Sequence, residues 1–287
     1  MSRYRYIVND GGKMVIDYLS SFHLGKEKIK YFNQSNTIYI NNKESNLKTV
    51  LNKGDELVLI NDDKLTLKPM AKKINILYED DYLLIINKPV NIVIHSDGNE
   101  NCDNTLSNAV AYYYKNKGYD IPVRYVHRLD KDTTGIIIFA KDPLTEAYLA
   151  NLIETRSLHR DYLAIVSGKI KNDQVINKPI GRDRHVNGKY RISESGKEAI
   201  TFVKVIETEE KYSLVRLSLK TGRTHQIRVH LSSIGHPILG DKLYGGNLNL
   251  IQRQALHSYY VKFKSIDGKL IEVYAKLPFD MEKIVKF

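Results

Sequence analysis

The chain has 287 residues, with 44 Lys and Arg against 33 Asp and Glu, a formal charge of +11 and a single cysteine, Cys102. One cysteine excludes an internal disulfide and fits a reducing, cytoplasmic setting, and the absence of a long apolar run argues against export or a membrane anchor. The basic balance favours a polyanionic partner, nucleic acid foremost, through counterion release and steering.

Residues 1–60 read as a small module. Met14, Val15, Tyr18, Leu19 and Phe22 fall at helical spacing, residues 26–32 form a second short helix with Ile29 and Phe32 apolar, and Gly25 separates the two. Residues 37–40 and 56–60 read as strands, completing a compact αα-β unit. Residues 61–75, polar and lysine-rich with Pro69, read as a linker, and residues 76–287 as the main domain.

Within 76–94, two short strands are expected around the turn that carries Lys88 and Pro89. Asn104 is expected to cap a helix from Thr105 to about Lys115, and Asp142 followed by Pro143 opens a helix running to about Arg156. Residues 159–168 form a strand carrying Tyr162. Residues 174–195 are rich in Lys, Arg, Gly and Asp and contain Arg182 and Arg184, as a basic loop or a solvated hairpin.

Strands are expected over 199–206 and 212–219. Thr224 is expected to cap a helix with Ile227, Leu231 and Ile234 on one face, closed by Gly235. A final pair, 255–263 and 270–275, turns at Asp267-Gly268. Many strands with few, separated helices indicate an α+β fold with a mainly antiparallel sheet.

The densest chemistry lies in His127-Arg128-Leu129-Asp130-Lys131-Asp132-Thr133-Thr134-Gly135, a turn feeding the apolar run 136–140. Turn-forming residues account for Asp132 to Gly135, where Gly135 can take a positive φ. His127, Arg128, Leu129 and Asp130 are left over. His225 and His230 are five apart, the wrong helical spacing for a shared metal. Asp130 and Asp132 suit a carboxylate pair or magnesium only if the backbone turns both to one side.

The 127–135 block resembles the signature of the RluA-type RNA pseudouridine synthases, and Thr221-Gly222-Arg223-Thr224-His225-Gln226-Ile227-Arg228-Val229-His230 resembles that family's second signature. Residues 76–94 are similar to its first motif, with Val90-Asn91 in place of the usual Ala-Gly. Asn tolerates the left-handed conformation better than most residues, so the turn is expected to survive the change. The resemblance implies a mixed, mainly antiparallel sheet with a central RNA cleft. Residues 1–60 resemble a ribosomal-protein-type RNA-binding module without its second-helix Arg; Lys26, Lys28 and Lys30 supply the charge.

The resemblance also implies a reaction: the uridine N1–C1′ bond breaks, the base turns over, and C5 joins C1′, with no cofactor and no metal. It assigns Asp130 as the catalytic carboxylate, adding covalently to the sugar, stabilising its charge or removing a sugar proton, Arg223 as its ion-pair partner and Tyr162 as the tyrosine against the target base. Arg128 would fill the space left by the extruded uridine. His127 would hold RNA or bond the turn backbone, and Lys88 would meet RNA phosphate or lie on the surface as an ordinary lysine. Arg182 and Arg184 would contact RNA. The expected substrate is large-subunit ribosomal RNA, acted on by a monomer. Transfer RNA is the alternative, and a non-catalytic RNA-binding or ribosome-assembly protein on the same fold is the rival.

Overall fold

A computed structural model describes residues 2–34, 36–96 and 104–285, so Cys102 lies outside the described residues. The chain opens with β1 (Ser2–Ile7), in which Tyr4 and Tyr6 point inward while Arg3 and Arg5 point out, a period-two pattern made by Arg-Tyr alternation. Helices α1 (Val15–Ser21) and α2 (Lys26–Tyr31) follow, then β2 (Ile38–Ile40), β3 (Lys43–Glu44) and β4 (Glu56–Asn61). These strands form a four-stranded sheet in the order β1-β4-β2-β3. The expected αα-β unit therefore gains β1, which pairs antiparallel along the whole of β4.

This small sheet is docked on the rest of the chain. Leu144 enters its hydrophobic core, the Tyr6 hydroxyl donates to Asp142 Oδ1 at 2.5 Å, and buried Arg124 pairs with Asp63 at 2.5 Å while donating to the Tyr4 hydroxyl at 3.1 Å. Lys28, one of the three lysines read as an RNA-facing or solvated row, pairs with Glu146 across the junction at 3.2 Å.

Next come β5 (Asn75–Glu79) and β6 (Leu83–Lys88), a hairpin whose turn is made by Asp80 accepting from the Tyr82 and Leu83 amides at 2.8 and 2.7 Å. Residues 92–94 are not the second strand of that pair. Ile92 instead bonds the Lys131 carbonyl, and the Val93 and Ile94 carbonyls accept from the first amides of α3 (Leu106–Asn116). The N-cap of α3 is Thr105, in a reciprocal capping arrangement with Asn108, rather than Asn104. Asn91 has φ +59°, the left-handed turn expected of it.

After β7 (Arg124–Tyr125) and β8 (Thr134–Ala140), α4 (Pro143–Glu154) starts where Asp142 Oδ1 accepts from the Leu144 and Thr145 amides. The remaining elements are β9 (His159–Ser167), β10 (Gln174–Asn177), the hairpin β11 (Ile180–Arg182) and β12 (Tyr190–Ile192), β13 (Ile200–Thr208), β14 (Tyr212–Leu219), α5 (Gln226–Ser233), β15 (Leu256–Lys264), β16 (Leu270–Tyr274) and α6 (Phe279–Glu282). The large sheet runs β10-β13-β14-β9-β15-β8-β6-β5, with β16 on β15 and β7 on β8. With the small sheet it makes an α+β fold in which, among the described residues, the one parallel contact is β15 with β8. No helix among the described residues is long and apolar enough to cross a membrane.

That parallel contact positions the 127–133 turn. β8 is buried on both faces, which is why it reads as an unbroken apolar run, and its first residues pair with His257 and Ser258 at the middle of the sheet. Gly135 sits there at φ +109°, and a Cβ on it would run into the Ser258 backbone. Gly135→Ala is therefore expected to destabilise the protein by about 2–4 kcal/mol, from combined backbone strain and overlap. Chemical denaturation will measure it; a change under about 0.5 kcal/mol, the scale of a neutral surface substitution, would contradict the packing argument.

Candidate active site

Two buried cations hold the turn by its carbonyls. Lys88 Nζ donates to the Lys131 carbonyl at 2.7 Å and to Pro89 at 2.9 Å. Arg253 donates to the Asp132 carbonyl at 3.2 Å and is itself gripped by Asp280 at 2.6 and 2.8 Å. Lys88 is wholly buried, and burial brings its ammonium down to about 7 against the opposing charges of Asp132 and Asp130. It is not a surface phosphate ligand, contrary to the sequence expectation, because β6 ends under the turn and carries the side chain inward.

His127 is also turned inward. It is buried rather than set to hold RNA, and neither ring nitrogen makes a well-formed hydrogen bond among the described residues, although the Arg128 backbone of the turn is close enough to favour its charged form. Burial, reinforced by the Arg160 charge, pushes its pKa down to about 3 and keeps it neutral. Arg128, by contrast, is exposed next to Asp130.

Asp130 is about 29 % exposed, and its Oδ2 accepts from Arg228 Nη1 at 2.7 Å. Arg228 is fixed from behind by Asp241, which takes Nε at 2.7 Å and Nη2 at 2.9 Å, while the Tyr244 ring lies 4.9 Å from the guanidinium. Burial works against the Arg228 charge, but the Asp241 bonds and the Asp130 charge outweigh it, so its pKa lies above that of an ordinary arginine.

The partner of Asp130 is thus Arg228 and not Arg223. Arg223 Nε donates instead to the Glu198 carbonyl at 2.9 Å, and its amide is held by Gln226 Oε1 at 3.0 Å. The reason is the start of α5: its N-cap is His225, in the left-handed conformation at φ +56°, rather than Thr224. This reversal turns Arg223 away and brings Arg228, in the first turn, onto the carboxylate. His225 Nδ1 bonds the Tyr244 hydroxyl at 2.9 Å and its Nε2 lies 3.7 Å from Asp130 Oδ2. Burial lowers its pKa, with Asp130 opposing the shift.

Asp130 stands between two hollows. One, of about 80 Å³, also has Tyr162, Arg223, Arg228 and Leu256 in its walls. The other, of about 260 Å³, is bounded by His95, Asp132, His225 and Gln254. Tyr162 is buried on β9, so the structure brings Asp130, Tyr162 and Arg223 to one cavity even though Arg223 is not the ion-pair partner.

Arg182 and Arg184 are exposed on the β11–β12 hairpin, where with Arg191 they surround a basic hollow. The hairpin is tied to the site: the Tyr190 amide donates to the Tyr244 hydroxyl at 3.0 Å. Among the described residues no group of three His, Cys, Asp or Glu is arranged to hold a metal ion. The arrangement offers one oriented carboxylate, a fixed guanidinium beside it, an aromatic wall and a basic rim, which suits charge stabilisation at a nucleotide sugar.

Sequence reasoning overlooked Arg228 and Asp241. The available signal was that α5 mixes Gln226, Arg228 and His230 with apolar residues, and all are buried. A buried arginine needs a carboxylate.

Residues 82–233 match the family described as RNA pseudouridylate synthase. The chain is 43 % identical over 252 residues to the Bacillus subtilis (strain 168) protein named Uncharacterized RNA pseudouridine synthase YhcT, covering 85 % of this chain and 83 % of that one. It is 38 % identical over 240 residues to Ribosomal large subunit pseudouridine synthase D of Haemophilus ducreyi (strain 35000HP / ATCC 700724), covering 78 % and 74 %. The solved structure of Human RNA Pseudouridylate Synthase Domain Containing 1 superposes with a TM-score of 0.61 at 27 % identity, over 74 % of this chain and 87 % of that one.

Neutral His127 has a consequence for acid stability. Its folded pKa lies below the ordinary value of 6.5, so the stability it permits is complete above about 6.5. That stability is lost as pH falls, because only the unfolded chain takes up the proton. His127→Leu is expected to flatten the fall in stability between about pH 6 and pH 4 by about 1.4 kcal/mol per pH unit. Denaturation midpoints at several pH values will show this; equal slopes for both proteins would refute it.

Proposed function

Because the chain belongs to the RNA pseudouridylate synthase family and is an RNA pseudouridine synthase, an isomerase, we propose that it modifies uridines of large-subunit ribosomal RNA, with Asp130 as the catalytic carboxylate. The observation that carries the catalytic reading is the Asp130–Arg228–Asp241 alignment in a part-exposed cleft. The ribosomal reading is supported by the relatives named for the large ribosomal subunit.

The uridine N1–C1′ bond breaks with its electron pair leaving on the uracil, and positive charge develops at C1′. Asp130 faces that carbon and either bonds to it or stabilises its charge. Arg228, bonded to both carboxylates, holds the Asp130 carboxylate aimed. The uracil turns over and C5 bonds to C1′, any Asp130–C1′ bond breaking with its electron pair returning to the carboxylate; the C5 proton departs as the ring regains its double bond, and N1 takes up a proton. Tyr162 forms the wall against the base, with a phenol able to handle that proton. Arg128, exposed beside Asp130, occupies the space the uridine leaves, while Arg182 and Arg184 meet phosphates.

Tritium release from RNA labelled at uridine C5 tests this. Wild type is expected to release tritium from ribosomal RNA of cells lacking the protein, and Asp130→Asn is expected to release none while binding RNA as before. Release by Asp130→Asn at the wild-type rate would overturn the assignment.

The geometry further ranks the arginines. Arg228→Lys cannot reach both carboxylates and is expected to lower kcat about 10²–10³-fold, whereas Arg223→Ala should cost less than about tenfold. The opposite order would restore Arg223 as the partner of Asp130.

A further inference from the structure

A second cavity, of about 320 Å³, opens where the N-terminal sheet meets the main domain, and the chemistry of Asp130 does not use it. One wall is the free edge of β1. Val8 bonds Asp55 on the β4 side, so the alternation of an antiparallel ladder turns the backbone groups of Arg3 and Arg5 to the opposite, unpaired edge. All four residues from Arg3 to Tyr6 line the cavity, as they must when a strand presents its edge.

The facing wall holds Tyr82, Tyr119 and Asp142. Tyr6 and Tyr82 lie parallel within 12°, and Tyr119, 37 % exposed, sits over Lys141 Nζ at 5.0 Å. Asp142 is 4 % exposed. Its Oδ1 is saturated by Tyr6 and the α4 amides, but its Oδ2 is buried with no hydrogen-bond partner among the described residues. Arg3 and Arg5 are exposed and make no ion pair among the described residues.

We propose that this crevice is a nucleotide subsite, separate from the Asp130 cleft, that takes a base bearing an exocyclic amine and the phosphate attached to it. Tyr119 and Tyr82 supply ring faces for stacking, which accepts any base. The free carbonyls of β1 accept from an amine, which adenine, guanine and cytosine carry and uracil does not. Arg3 and Arg5 stand at the mouth with their charges unspent, placed for a phosphate. A cavity of this size is within the range that holds a small ligand. The occupant is either a base splayed out of the RNA substrate or a free mononucleotide; the shared chemistry is the same.

Calorimetric titration of the full-length protein with GMP, AMP, CMP and UMP tests the subsite without relying on isomerase activity. The three amine-bearing nucleotides are expected to bind at millimolar concentrations or below, more tightly than UMP. The Arg3→Ala/Arg5→Ala double variant, altered only at exposed side chains, should weaken them by about tenfold. Tyr119→Ala should do the same. No saturable binding, or binding unchanged in both variants, would overturn the subsite. The KM for ribosomal RNA identifies the source: an increase in the double variant at unchanged kcat indicates an RNA base. An unchanged KM with nucleotide binding lost indicates a free nucleotide, and either result supports the site.

Discussion

The centre of this protein depends on a guanidinium caught between two carboxylates. Arg228 gives one edge to Asp130 and the other to Asp241, so neither can swing away without leaving a charge unpaired in a largely buried place. Asp241 is itself 1 % exposed, and that burial makes Arg228 a fixed part rather than a flexible surface arginine. The bidentate grip behind Arg228 fixes the group that orients Asp130.

The same economy holds the turn that carries Asp130. Its carbonyls at Lys131 and Asp132 are bonded by Lys88 from β6 and by Arg253 from the loop before β15, two segments far apart in sequence. Gly135 then lets β8 lie directly on β15 in a parallel contact. The turn is supported from several directions, and Asp130 and Arg128 are among its residues that line the cleft. His225 belongs to this frame too, since its left-handed backbone sets the direction in which α5 leaves.

The N-terminal sheet is part of the same body. Tyr6, Arg124 and Asp63 form a buried polar junction with Asp142 at its centre, and Leu144 crosses from α4 into the small core. Asp142 thus serves twice, capping α4 and receiving the Tyr6 hydroxyl. Burial raises its pKa, with those hydrogen bonds acting the other way. A polar junction of this kind fixes the relative placement of two sheets more sharply than apolar contact alone.

Local signals in the sequence were read correctly where the physics is local. Asp142-Pro143 starts a helix because a carboxylate can reach the first amides, Asn91 takes a left-handed turn, and the run 136–140 forms a strand buried on both faces. The family was likewise visible in the residues around Asp130. Other features were not: the residues that cap α3 and α5, the place of residues 92–94, which arginine meets Asp130, where Lys88 and His127 point, and that residues 2–7 complete a sheet with β4. Arg228 lies 98 residues from Asp130, and its approach turns on one backbone reversal at His225. The sequence alone determined the kind of chemistry and most of the elements, because capping, turn and strand preferences act over a few residues. Only the tertiary structure decided which charges meet, because such pairing depends on how distant elements pack and which side chains that packing removes from water.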